Sequence, residues 1–195
     1  MTEGVTIPAM RRLILAATLV LAATTSAGAA TLAGVTLEDK IAVDNHQLLL
    51  NGIGLRKKLF IKVYVGGLYL PAKQASGATV LATDGARRMV MHFLFSVSKS
   101  QMAEAWEEGL ADNTPNASPE VKTAFKTLQS WMEDVPKGNR IVLTYLPGTG
   151  TTVEVNGKNK GTLGGKATAD AILNTWIGPK PGPGEDFKKA VLGQK

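Results

Sequence analysis

The 195-residue chain contains no cysteine, which excludes disulfides, Cys-ligated zinc, iron–sulfur clusters, thiol nucleophiles and a lipidated N-terminal cysteine. Histidine is almost absent: His46 and His92 are the two present, far apart in sequence and without H-E-x-x-H or comparable metal spacing. No resident metal or cofactor is therefore expected. Aromatic residues make up 6% and charged residues 19%, against 44% hydrophobic, a balance too apolar for a disordered chain. The 21 glycines and 9 prolines follow no three-residue period, so the chain is not collagen-like. The N-terminal apolar stretch, Leu13 to Ala23, falls short of the roughly 20 residues needed to span a bilayer.

What is present begins at the N-terminus. Arg11 and Arg12 precede the apolar stretch, and Ala27-Gly28-Ala29 follows it as a small-residue cleavage site. That order of basic, apolar and small segments, over Met10 to Ala30, is the order of a secretory signal peptide. The reading expects an extension and signal over 1–30, cleavage near Ala29 and one domain over 31–195. The product would be periplasmic or secreted, with no stable membrane anchor after cleavage. The net charge is +6, and the cations are scattered apart from Arg56-Lys57-Lys58, Arg87-Arg88 and Lys188-Lys189. A nucleic-acid partner is not expected, because such binders cluster their cations with interleaved aromatics.

Along the mature chain, Leu48 to Leu50 runs into Asn51-Gly52, a turn signal. Leu55 to Leu70 reads as one long strand, with Leu59, Ile61, Val63 and Val65 on one face and Phe60, Lys62 and Tyr64 on the other. Within it, Gly66-Gly67 marks a bulge or a close approach to the backbone. A short helix is expected over 76–82. Arg88 to Ser96 alternates with both faces apolar, as in a central strand covered on both sides. The period then becomes helical. Ser98 and Gln101 have capping-box spacing ahead of Met102, Trp106, Gly109 and Leu110. Ser118-Pro119 opens a second helix with Val121, Phe125, Leu128 and Met132 as its buried stripe. Strands follow at 140–146, 151–155 and 160–163, the last two joined by the hairpin signal Asn156-Gly157. A helix over 167–177 ends at the Gly/Pro stretch 178–184, and a short helix closes the chain at 185–192. This succession is α+β with a mostly antiparallel sheet.

Few catalytic patterns survive inspection. There is no G-x-S-x-G elbow, and Gly52-Ile53-Gly54 lacks the third glycine and the context of a dinucleotide loop. Glu104, Glu107 and Glu108 read as a solvated helix face, and His92 as a strand histidine with its polar groups satisfied. What remains is Asn51-Gly52-Ile53-Gly54-Leu55-Arg56, two glycines and then an arginine entering a strand. If Arg56 points between sheet and helices, it suits a ligand with one anionic group and a large apolar body. The alternative is a surface arginine in a basic trio.

The stretch LNGIGLRKKLFIKVYVGGLYLPAK resembles the core of chalcone isomerase-like domains in their exported bacterial form. The resemblance continues through the 88–96 strand, the helix after it, the 140–163 meander and Ala171 to Gly178. It implies an open-faced β-sandwich, a large antiparallel sheet under a layer of helices with a cleft between. It also implies one of two activities, cyclisation of chalcones to flavanones or non-catalytic binding of fatty acids. The essential arginine of the plant enzymes matches Arg56, and their strand threonine falls at Tyr64; these would be the catalytic residues of an enzyme. The helix tyrosine, lysine and asparagine fall at Met102, Ala105 and Gly109, so three polar groups are replaced. The late threonine matches Thr175, with Trp176 beside it.

Three readings stay open on the sequence. In the first, the chain is a non-catalytic binder of a small amphipathic anion such as a fatty acid. Arg56 and Tyr64 would hold the head, and Met102, Trp106, Thr175 and Trp176 would line the cleft with Phe125 behind. The second is an intramolecular lyase of the chalcone isomerase type. The third is an envelope partner protein without a ligand. The losses at Met102, Ala105 and Gly109 favour binding.

Overall fold

The computed structural model describes residues 28–194, together with residues 1, 2 and 4. The apolar part of the segment read as a signal peptide lies outside the described residues. The first strand, β1 (Ala29–Leu32), pairs with β2 (Val35–Glu38) as a two-stranded ribbon. Ala29 thus opens β1, opposite Glu38.

A seven-stranded antiparallel sheet follows in strict chain order. Its strands are β3 (Lys40–Val43), β4 (His46–Lys58), β5 (Ile61–Leu70), β6 (Arg87–Phe93), β7 (Arg140–Leu146), β8 (Gly150–Val155) and β9 (Lys158–Leu163). Each strand pairs with its neighbour in sequence, so the sheet needs no crossover connection. The helices are α1 (Gly77–Ala82), α2 (Lys99–Asn113), α3 (Pro119–Ser130), α4 (Lys166–Ile177) and α5 (Glu185–Val191). The expected caps form: Ser98 and Gln101 make a reciprocal capping box on α2, and Ser118 caps α3 with Pro119 in its first turn. Met132, assigned to the stripe of the second helix, lies just beyond α3 but is still buried.

The alternation of β6 builds both layers. Met89, Met91 and Phe93 face the helices, while Val90 faces the ribbon side together with Leu48, Val65 and Leu37. The expectation of a strand covered on both sides is met in full on the helix face and at Val90 on the other, where Arg88 and His92 are half-buried. On that second face Val90 joins the cluster to which the ribbon contributes Val35 and Leu37.

Two expectations about the first strands are corrected. The run Leu55–Leu70 is not one strand but a hairpin, with Lys58 opposite Ile61 across the two residues Leu59-Phe60. Leu59 turns at φ 54°, a conformation that costs a bulky residue of order 1–3 kcal/mol. The sequence hides this break because its apolar alternation runs straight through the turn. Conversely, Asn51-Gly52 is not a turn but lies inside β4, where a bulge separates the Leu50–Tyr69 and Gly52–Leu68 pairs. The extra residue shifts side-chain parity, so Leu48, Leu50, Ile53 and Leu55 all pack into one cluster. Asn51 is held there by long-range bonds: its amide donates to the carbonyls of Gln74 at 3.0 Å and Val191 at 2.9 Å.

Gly66-Gly67 carries no bulge but does mark close approach. A Cβ on Gly66 would lie 2.5 Å from the ring of Phe187, and one on Gly67 would lie 2.4 Å from Leu37. Gly54 sits directly opposite Gly66, and this glycine pair makes the floor on which α5 seats Phe187.

Candidate functional site

Next along the same hairpin, Arg56 pairs in register with Tyr64. Cross-strand partners project to one face, and here that face looks toward the helices. Phe187, admitted by the glycines, backs Tyr64 edge-on at 5.7 Å, and Phe93 of β6 flanks it at 5.4 Å. From α4, the Trp176 indole donates to the Tyr64 hydroxyl oxygen at 3.0 Å. Trp176 meets Trp106 of α2 edge-on at 5.4 Å. Phe125 of α3 lies behind Trp106 at 6.4 Å, so it backs the site and does not line it.

These side chains enclose a cleft of about 740 Å³ between the sheet, α2 and the end of α4, within the size range of small-molecule sites. Arg56, Tyr64, Met102, Trp106, Thr175 and Trp176 all line it, so the structure brings every sequence-predicted site residue to one cavity. Their roles there differ. The Thr175 hydroxyl is turned away, donating to the Ile172 carbonyl at 2.8 Å. Its methyl group packs on Gly109, where an added Cβ would come within 2.7 Å. Position 109 therefore has no room for an amide side chain. At Met102, Ala105 and Gly109, α2 carries no polar side chain.

Two donors, Arg56 and Tyr64, stand paired on the sheet side of the cleft, while Glu104, Glu108 and Asp112 of α2 and Glu185 of α5 also line it. The Arg56 guanidinium is half-buried and donates from Nη1 to the Gly182 carbonyl at 2.5 Å. Among the described residues it forms no ion pair. Tyr64 is 6% exposed. Burial pushes its phenol up to about 12, only partly opposed by the Arg56 charge and the Trp176 hydrogen bond. The hydroxyl stays protonated at neutral pH. Its oxygen accepts from Trp176, which leaves the O–H to donate. Arg56 and Tyr64 together form a donor pair beside the apolar surfaces of Met91, Phe93, Met102 and Trp176, a setting that favours an anion with a hydrocarbon body.

Sequence reasoning missed one wall. Pro179 to Gly184, read only as the end of a helix, lines the cleft. Asn113 holds this loop by accepting from the Lys180 backbone N–H at 2.8 Å and donating to its carbonyl at 2.9 Å. Arg56 holds it at Gly182. Three prolines in six residues were the available signal for a stiff, structured segment. Glu104, Glu107 and Glu108 are exposed, and no cluster of potential metal ligands occurs among the described residues. His92 accepts at Nδ1 from Arg140 at 3.0 Å, and no helix is long and apolar enough to cross a membrane among the described residues.

Residues 29–193 match the family model described as chalcone isomerase-like. The chain belongs to the chalcone isomerase-like family. No curated protein matches it. Among solved structures, this chalcone isomerase-like chain resembles a fatty-acid binding protein of Arabidopsis thaliana, with a TM-score of 0.67 and 18% identity. The match covers 85% of this chain and 96% of that one, and at that identity it establishes the fold. The curled antiparallel sheet under a helical layer is the chalcone isomerase-like fold.

Proposed function

We propose that this chalcone isomerase-like protein is an exported, non-catalytic binder of a small amphipathic anion such as a fatty acid. Residues 10–30 would act as its signal peptide. The observation that carries the reading is the Arg56–Tyr64 pair. A guanidinium without a carboxylate partner and a phenol with a free proton stand side by side in a cleft walled by Met102, Trp106, Phe93 and Trp176. The carboxylate would take charge-assisted hydrogen bonds from this pair, and the chain would lie along the aromatic and methionine surfaces. The likeness in fold to a fatty-acid binding protein supports the same reading. Cyclisation chemistry is disfavoured by the side chains at three positions of α2. Met102, Ala105 and Gly109 supply no hydroxyl, ammonium or amide group there to hold a water or a substrate ketone; the polar groups that α2 brings to the lining are Gln101, Glu104, Glu108 and Asp112.

The test is titration of one long-chain fatty acid and its matching alcohol against wild type, Arg56→Ala and Arg56→Lys. A charge-assisted hydrogen bond contributes about 1.5–3 kcal/mol, so Arg56→Ala should weaken fatty-acid binding roughly 10- to 150-fold. Arg56→Lys should recover part of that loss, lacking the planar fork, and the alcohol should be nearly indifferent to both changes. Equal fatty-acid affinities across the set would remove Arg56 from the site and end the reading.

A further inference from the structure

The β4–β5 hairpin ends in an apolar tip that the fold does not use. Leu59 is 88% exposed and Phe60 100%. Ile61 and Phe95 join them, Phe95 lying beside the base of the tip through its N–H bond to the Val63 carbonyl at 3.2 Å. Apart from Met1, these four are all the exposed large hydrophobic residues among those described. Chains rarely leave such side chains in one place without a binding purpose.

The tip is also ringed by positive charge. Arg56, Lys57, Lys58 and Lys62 flank it, and residues 45–83 contain no aspartate or glutamate. Among the described residues none of these four cations forms an ion pair. Lys57 stands directly opposite Lys62, a like-charge pairing that weakens a hairpin. An apolar point within a collar of unpaired lysines matches the anionic headgroups and acyl layer of a charged bilayer. The same collar would repel the tip of a second copy. Leu59 and Ile61 are aliphatic and offer no stacking face to nucleobases.

The position of the tip gives it a use. Lys58, Ile61 and Phe95 belong to both the tip and the lining of the cleft, so a tip set into a membrane places the cleft mouth at the lipid surface. The acids in that lining, Glu104, Glu108, Asp112 and Glu185, belong to α2 and α5, on the facing side. We propose that the β4–β5 tip is a docking finger for bilayers bearing anionic headgroups. Exchange of ligand between bilayer and cleft rests on the fatty-acid reading; docking itself does not.

The absence of cysteine makes a site-specific test simple. The full chain carrying Phe60→Cys takes a single polarity-sensitive fluorophore. Thr149→Cys, in the exposed β7–β8 turn at the opposite end of the sheet, takes the same label as a control. With vesicles of equal parts phosphatidylglycerol and phosphatidylcholine, the label at 60 should shift to the blue and the label at 149 should not. High salt should abolish the shift, and vesicles of phosphatidylcholine alone should give little. In the unlabelled chain, Lys57→Gln with Lys62→Gln should lower partitioning about 10-fold or more, and Leu59→Ser with Phe60→Ser should lower it similarly. None of these four residues lines the cleft, so fatty-acid binding in vesicle-free solution should be unchanged in both variants. Docking by the tip is overturned if the label at 60 stays in water while the chain sits on vesicles by another segment, or if both labels respond alike. It is also overturned if neutral vesicles bind as well as anionic ones, or if the tip variants instead abolish self-association of the protein. A blue shift at 60 with no fatty-acid binding would uphold docking and remove the fatty-acid reading. Fatty-acid binding without the shift would do the reverse.

Discussion

Among the sheet's two-residue hairpins, β8–β9 and β4–β5 have opposite chemistry. Between β8 and β9 the turn is Asn156-Gly157, with φ of 53° and 77°, the residue types that tolerate two successive left-handed positions. The Asn156 amide donates to the Asp134 carbonyl at 2.9 Å, so this turn is tied into the molecule. Between β4 and β5 the turn is Leu59-Phe60, with Leu59 at φ 54° and both side chains in solvent. One turn is built from residues that lower the cost of turning. The other accepts backbone strain, exposed hydrocarbon and opposed lysines. A sequence able to make the first kind had no folding reason to make the second, and the difference points to a role for the β4–β5 tip outside the fold.

Exchanging the two turns breaks the comparison most severely. Asn156→Leu with Gly157→Phe should destabilise the protein by about 2–4 kcal/mol in chemical denaturation. Each left-handed L-residue costs roughly 1–2 kcal/mol, and the Asp134 carbonyl loses its donor. This variant should gain no preference for anionic vesicles, because Glu133 and Asp134 lie against that turn. The reciprocal change, Leu59→Asn with Phe60→Gly, should raise stability by about 1–2 kcal/mol through relief of strain. It should also remove the vesicle response. A loss of stability there would mean that Leu59 and Phe60 serve the fold after all.

The smallest effect concerns pH. Neither turn pair titrates between about pH 5 and 8, so the stability difference between the two exchange variants should stay flat across that range. The common background should not. Burial, reinforced by the nearby Arg140 charge, holds His92 below its ordinary 6.5. The unfolded chain therefore binds the proton first. Stability is fully present above about 6.5 and is lost as pH falls toward the folded value. Melting temperatures of wild type and His92→Gln, followed downward from neutral pH, should show a shallower decline in the variant. Parallel curves would mean that His92 does not contribute.

Much of the site was legible before any coordinates. Arg56 stood out as a cation entering a strand after two glycines, Met102, Trp106 and Trp176 fell on the inward faces of helices by their spacing, and Tyr64 and Thr175 came from the family resemblance. The loop at 179–184 did not stand out. A wall of a cleft is defined by what it faces, and nothing in a Gly/Pro run names its partner. The Thr175 hydroxyl was equally illegible. Only the packing of α4 on Gly109 of α2 turns its methyl group outward and its hydroxyl back to Ile172.

The sequence by itself determined the helices, the caps of α2 and α3, the meander and its Asn-Gly turn, because each is set by interactions within a few residues. It also indicated that β6 would be central, since Met89, Met91 and Phe93 alternate with an apolar Val90 on the other face. The tertiary structure decided where the first hairpin breaks and where its register shifts. Leu59 and Phe60 favour strand locally, and the chain turns there only because the pairing of β4 with β5 gains more than the turn costs. Asn51 and Gly52 favour a turn locally. They remain in β4 because Asn51 finds carbonyl partners 23 and 140 residues away, and because the backbone of α5 and the residues after it approaches too closely for any side chain at Gly52. Long-range pairing outweighed local preference at both places, and together they set Arg56 beside Tyr64 in the cleft and the apolar tip beyond it.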